Sequence, residues 1–293
     1  MLDYHAIADV VREAEARGTT ISRVALADQA EALAVPEEAI LEEMRGRLEV
    51  MRAAAHEGMR ADLRSTSGLT GGNAHKMRSY AESGNAIAGK LFALASAKAM
   101  AIAEYNAAMG KIVAAPTAGS CGVLPAAILA MMEERGVAEE DAAMGLITAG
   151  TLGMVIAQEA SISGAEGGCQ AECGSAAAMA AGALVEMAGG SPSMVADACA
   201  IAIKNMLGLV CDPVAGLVEV PCVKRNAGAV ACAVNAADMA LAGVKSVIPV
   251  DEVVAAMREV GESIPKTLRE TAQGGLAATP TGQAIAQRLF DKS

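Results

Sequence analysis

Tryptophan is absent from the 293 residues, and only two phenylalanines and three tyrosines are present. Without bulky rings, the chain lacks the residues that favour pleated sheet. Histidine occurs only as His5, His56 and His75, with no G-x-S-x-G elbow, so Ser-His-Asp hydrolysis has nothing to build on. There is no P-loop and no G-x-G-x-x-G after a strand. The seven cysteines include no C-x2-C pair, which argues against structural zinc. Their odd number, in a chain without a secretory signal, argues equally against disulfides. Basic residues number 23 against 34 acidic ones, a formal charge of −11, and no basic cluster is interleaved with aromatics. Nucleic acid is therefore not an expected partner. The N-terminal MLDYHAIADVVREAEARG is charged throughout and holds no apolar signal core, so a cytoplasmic location is expected. The most membrane-like run, AGAVACAVNAADMALAGV (227–244), carries Asn235 and Asp238 and reads as a buried helix, not a span.

What remains is 53% hydrophobic, mostly alanine with valine, leucine, isoleucine and 17 methionines. That composition predicts an all-α fold, an Ala-rich bundle of closely packed helices. Residues 1–60 read as an N-terminal helical subdomain, with Ile7, Val10, Val11 and Ala14 at helical spacing and a Pro36-Glu37-Glu38 helix start. Residues 61–293 read as the catalytic helical domain, and one continuous domain is the simplest account. Further helices are expected near 80–110, 124–134, 138–160, 171–188, 194–206, 226–242 and 250–262, with a short amphipathic helix in the tail.

Four of the seven cysteines fall in glycine-rich connections: Cys121 in APTAGSCGVLP, Cys169 in SISGAEGGCQ, and Cys211 and Cys222 in LGLVCDPVAGLVEVPCVKRN. Cys199 and Cys232 sit in helical text and read as small hydrophobes. Backbone can approach a bulky inorganic group where side chains are missing, and freed N–H groups can bond to sulfur. By spacing alone, the loop cysteines admit either a cluster site or simply buried thiols. Glu166 and Glu172 lie three residues to either side of Cys169, each a candidate acid or base. The 117–121 turn could hold an anion on backbone amides or merely cap a helix. Lys224, Arg225 and Asn226 offer a carboxylate clamp or a solvated basic turn before a helix.

The segments APTAGSCGVLPA, SGAEGGCQAECGSA and LGLVCDPVAGLVEVPCVKRNAGA, with STSGLTGGNAHKM before them, resemble the signature segments of the iron–sulfur-dependent L-serine dehydratase α chain. The resemblance spans about residues 60–280. It implies a [4Fe–4S] cluster on three cysteines, here Cys169, Cys211 and Cys222, with one iron left open. Cys173, about one turn into the next helix, is left out as a packing residue. The resemblance further implies β-elimination, in which the open iron acts as Lewis acid on L-serine and hydrolysis of the enamine and imine gives pyruvate and ammonia. Ser65, Ser67, Thr70, Gly71, Thr117, Lys224, Arg225 and Asn226 are the expected substrate-binding residues; Ser120, Cys121 and Glu166 are the catalytic candidates. Single-chain family members carry an additional region before the helical domain and a cysteine near the C-terminus, whereas no cysteine follows Cys232 here. A separate β chain, and so a hetero-oligomer, is the expected partner.

Three other activities are open at this stage. A related cluster-dependent lyase would act on L-cysteine, and a non-catalytic iron–sulfur protein would carry electrons or sense redox state. A pyridoxal-phosphate dehydratase would need a phosphate cup that Lys204 and Lys245, in helical text, do not have beside them.

Overall fold

Alanine sets the spacing between helices: a methyl contributes only about 0.8 kcal/mol on burial, but it lets neighbouring backbones come close. The computed structural model describes residues 4–291, which contain thirteen α-helices and no strand, the all-α fold the composition predicts. The first three are α1 (Ile7–Ala16), α2 (Ile21–Leu33) and α3 (Glu37–Gly58). They are followed by α4 (Asn73–Glu82), α5 (Lys90–Ala107), α6 (Val123–Arg135), α7 (Glu139–Glu159) and a single turn, α8 (Gly164–Gly167). After a π-turn at Gln170–Gly174 come α9 (Ser175–Met187), α10 (Pro192–Met206), α11 (Cys222–Leu241), α12 (Val250–Ser263) and α13 (Pro280–Phe290).

The centre of the bundle is α9, whose sequence SAAAMAAGALVEM is apolar on every side and buried from Ser175 to Val185. A helix without a polar face must be surrounded, and α6, α7, α10 and α11 surround it. The long apolar α7 has the length and composition of a membrane span, yet most of it is buried inside the protein. The membrane-like run noted in the sequence lies largely in α11, where Ala229, Val230, Ala233, Ala236 and Ala237 face the core. One core cluster reaches from Ile7 and Val10 in α1 through Leu48 and Met51 in α3 to Met257 in α12.

Two boundaries differ from expectation. The helix predicted over 80–110 is two helices, because Gly84 and Gly89 take left-handed φ values of 78° and 83° and break the run. The helix predicted from 226 begins at Cys222, directly after Pro221. Lys224, Arg225 and Asn226 therefore belong to a helical first turn and not to the preceding loop.

Several helix N-termini are met by a carboxylate from a distant helix, whether or not they carry a cap of their own. Asp251 of α12 accepts from the N–H groups of Ile7 (2.7 Å) and Ala8 (3.0 Å) at the start of α1. The fully buried Glu104 of α5 accepts from the N–H groups of Gly71, Asn73 and Ala74 at the start of α4. Glu186 of α9 accepts from Ser22 N–H (3.3 Å) in the first turn of α2. Each arrangement matches negative charge to the positive end of a helix dipole.

Burial pushes the Glu186 carboxyl above its ordinary pKa, with bonds from Ser22 and Thr148 opposing the shift. A raised folded-state pKa means that the folded protein binds the proton more tightly, so stability falls as pH rises from the unfolded pKa through the folded one. Urea titrations from pH 4 to 8 should show Glu186→Gln losing less stability than the parent across the upper part of that window.

Candidate active site

Three of the glycine-rich loops end at the N-termini of α6, α9 and α11, and these helices pack on one another. Their leading ends meet. Asn226, in the first turn of α11, bonds to the 119–122 loop through both ends of its amide. Its Nδ2 donates to Gly119 O (2.8 Å), and its Oδ1 accepts from Gly122 N–H (2.9 Å). Thr117, in the same loop, donates to Glu172 of the π-turn (2.8 Å). Gln170, fully buried, accepts from Gly208 N–H (2.8 Å) and donates to Met257 O (2.8 Å). It thereby fixes the Cys169 segment against α12 and against the segment leading to Cys211.

Cys169, Cys211 and Cys222 are brought together where the loops meet. Burial pushes Cys211 well above its usual pKa and Cys222 up to about 12, and the charge of Cys169 raises both further. Cys169 itself is lowered, first by a bond from the Cys173 thiol and also by the Arg225 guanidinium. Cys173 is almost fully buried beside it, in the π-turn and not in α9. Cys199 is fully buried within α10, while Cys232 of α11 is half-buried and donates to Ala202 O. Cys121 is completely enclosed, and burial raises its thiol to about 12, which keeps it protonated.

The two carboxylates near Cys169 separate clearly. Glu166, on the one-turn α8, accepts from Ser161 Oγ (2.6 Å) in an exposed position. Glu172, by contrast, projects between the loops. A Cβ on Gly119 would lie 2.9 Å from its Oε1, and a Cβ on Gly164 would lie 2.9 Å from its Oε2 and 3.0 Å from Cys211 Sγ. Only hydrogen at those two positions leaves room for the carboxylate. Burial raises the Glu172 pKa, opposed by the Thr117 bond and reinforced by the charge of Glu270. In the structure Glu172 follows Cys169 within the π-turn, whereas Gly167 and Gly168 separate Glu166 from the cysteine.

The expected substrate-binding residues are divided by their partners. Arg225 donates to Asp212 (2.8 Å) and to Val210 O (2.8 Å), so its fork braces the Cys211 loop. Asp212 also accepts from Leu276 N–H (2.7 Å), and Cys211 pairs its backbone with Leu268 and Glu270, which ties the C-terminal segment across the cysteine. Lys224 is exposed, and the amide of Asn226 is already engaged. In the 65–72 loop, Ser65 and Ser67 hydroxyls lie 3.3 Å apart. Thr70 Oγ1 donates to the buried Glu219 (3.0 Å), and Gly71 N–H bonds to Glu104. The Thr70–Glu219 bond carries the loop to the segment that leads into Cys222. Ser120, fully buried, sits 3.1 Å from the Thr117 hydroxyl. Asp212, Glu219 and Glu104 had no sequence signal, because each acts through partners remote in the chain.

Among the described residues, no three His, Cys, Asp or Glu side chains converge tightly enough to hold a single metal ion. A polynuclear group makes a different demand, since each thiolate binds a different metal atom and the sulfurs need not share one centre. Three buried thiols that bear on one another's charge, Cys222 opening α11, Cys169 preceding the turn into α9 and Cys211 on the extended segment after α10, fit such a group.

Fold and site together define an all-helical protein in which glycine-rich loops gather buried cysteines beside the starts of its central helices. The serine dehydratase alpha chain family model matches residues 8–277, and the chain belongs to that family. It is 50% identical over 287 residues to the probable L-serine dehydratase alpha chain of Bacillus subtilis, covering 98% of this chain and 95% of that one. It is 47% identical over 279 residues to the L-serine dehydratase alpha chain of Peptoniphilus asaccharolyticus, covering 95% and 94%. With the L-serine dehydratase of Streptomyces coelicolor it shares 44% over 235 residues, which is 78% of this chain but only 51% of that longer protein.

Truncating Asn226 leaves Gly122 N–H and Gly119 O without partners in a buried place. Asn226→Ala should lower stability by about 2 kcal/mol in urea or guanidinium unfolding.

Proposed function

We propose that this chain is the catalytic α chain of an L-serine dehydratase, converting L-serine to pyruvate and ammonia, with Cys169, Cys211 and Cys222 holding a [4Fe–4S] cluster. The observation that supports the reading is that Cys169, Cys211 and Cys222, from separate glycine-rich segments, bear on one another's charge in one buried region of a chain of this family. When bound, the cluster supplies Lewis acidity at the iron without a protein ligand, which offsets the poor leaving ability of hydroxide.

The chain's own residues prepare that chemistry. Cys169 is held toward its thiolate by the Cys173 bond, while burial keeps Cys211 and Cys222 as thiols that would give up their protons on binding metal. Arg225, held by Asp212, sets the loop of Cys211 and lowers the Cys169 pKa. Thr117 and Ser120 set hydroxyls beside Glu172, and the 65–72 loop, fixed by Glu104 and Glu219, would offer the Ser65 and Ser67 hydroxyls to the substrate carboxylate. The enclosed setting limits water, so these donors act at low dielectric.

A second polypeptide completes the assembly. This chain covers nearly all of the relatives named alpha chain but about half of the Streptomyces protein named without that qualifier. A separate β chain, a hetero-oligomer and a cytoplasmic setting follow from that reading.

Protein purified anaerobically with its partner chain should contain iron and sulfide and release pyruvate from L-serine in preference to L-threonine or L-cysteine. Lack of preference for serine would overturn the substrate. Cys169→Ala, Cys211→Ala and Cys222→Ala should each lose iron and the broad visible absorbance, while Cys199→Ala keeps both. Iron surviving all three site substitutions would overturn the ligand set.

A further inference from the structure

Glu172 is a carboxylate without a countercharge. Its hydrogen-bond partner is the Thr117 hydroxyl, and no lysine or arginine forms an ion pair with it among the described residues. The cation nearest in the site, Arg225, is committed to Asp212 and to Val210 O. The other groups that bear on Glu172 are negative or become so: Glu270 on the C-terminal segment, and the thiols of Cys169, Cys211 and Cys222. A folded protein that encloses such a carboxylate without a partner bears an uncompensated desolvation cost, and a ligand that brings its own cation removes it. One oxygen of the carboxylate is uncommitted. Thr117 holds Oε1, whereas Oε2 points toward Gly164 and the Cys211 sulfur with no donor assigned to it.

We propose that Glu172 binds the α-ammonium group of the substrate, so that this carboxylate admits amino acids and rejects the matching 2-hydroxy acids. The proposal rests on the dehydratase reading only for the identity of the substrate. An amino acid and its hydroxy analogue share size and carboxylate, so the discrimination lies in the ammonium charge. A charge-assisted bond in an enclosed site separates the two by at least about tenfold. The hydroxyl of the analogue can donate to Glu172 but leaves its charge unpaired, which explains rejection and not merely weaker binding.

The test is equilibrium binding of L-alanine and L-lactate to the anaerobic holoprotein by calorimetry. This isosteric pair has no β-leaving group, so neither ligand is consumed. L-Alanine should bind at least about tenfold more tightly than L-lactate to the parent. Glu172→Gln should weaken L-alanine about tenfold or more, leave L-lactate nearly unchanged and raise KM for L-serine. Glu172→Asp, which keeps the charge on a shorter stem, should recover part of the preference. Iron and sulfide content establishes that each variant is loaded. If Glu172→Gln does not load, the parent and Glu172→Asp still decide: equal affinity of the parent for both ligands, or a preference in Glu172→Asp as large as the parent's, overturns the proposal, and a preference reduced but retained in Glu172→Asp supports it. An unchanged ligand ratio in a loaded Glu172→Gln, or a fall in kcat with both affinities unchanged, also overturns it. Should L-serine release no pyruvate while the ligand ratio still depends on Glu172, the ammonium assignment stands and the dehydratase reading falls.

Discussion

The site exists because helix backbones come closer than ordinary side chains permit. At the entry to α6 a Cβ on Gly122 would run into the carbonyl oxygen of Ala99 on α5. A larger residue there would push α6 outward, and the Asn226 amide would lose its grip on the loop. With alanine-rich α9 at the centre, the neighbouring helices close in from all sides, and their leading ends are forced into one region. Thiols, hydroxyls and backbone donors follow the helix ends to that place. Small side chains thus do at the level of packing what a dedicated binding domain would otherwise do.

That geometry carries an electrostatic demand. Helix N-termini concentrate partial positive charge, and this chain of formal charge −11 answers with carboxylates and thiols. Outside the site, Asp251, Glu104 and Glu186 satisfy helix starts and are structural. Inside it, Cys222 opens α11 and Cys169 precedes the turn into α9, while Glu172 is braced by Thr117 and left without a cation. What distinguishes Glu172 from the capping carboxylates is that its partner is a side-chain hydroxyl and not the backbone donors of a helix start.

Much of this was legible in the sequence. The scarcity of rings and abundance of alanine gave the all-helical class, and hydrophobic spacing located most helices. The glycine-rich loops identified the cysteines that the structure gathers. What could not be read were the partners. Glu166 and Glu172 are symmetric about Cys169 in the sequence, and only the turn at Gly167-Gly168 sends one to the surface and the other inward. Lys224, Arg225 and Asn226 look like a basic clamp until α11 is seen to start at Cys222, which turns Asn226 toward the 119–122 loop and Arg225 toward Asp212. The split between α4 and α5 was missed because glycines within alanine-rich text are common, and only their left-handed φ marks these as breaks. Glu104 and Glu219 were missed for the opposite reason: buried carboxylates give no pattern when their donors lie 30–33 and 149 residues away.

The borrowed cap on α1 also bears on the order in which the molecule comes into being. Ile7 N–H finds its acceptor on Asp251, 244 residues further along the chain. During synthesis at the ribosome, the first helix emerges long before the residue that completes its N-terminus. The amides at the start of α1 wait until α12 follows, so α1 is completed only after every helix that lies between the two in the chain has been made.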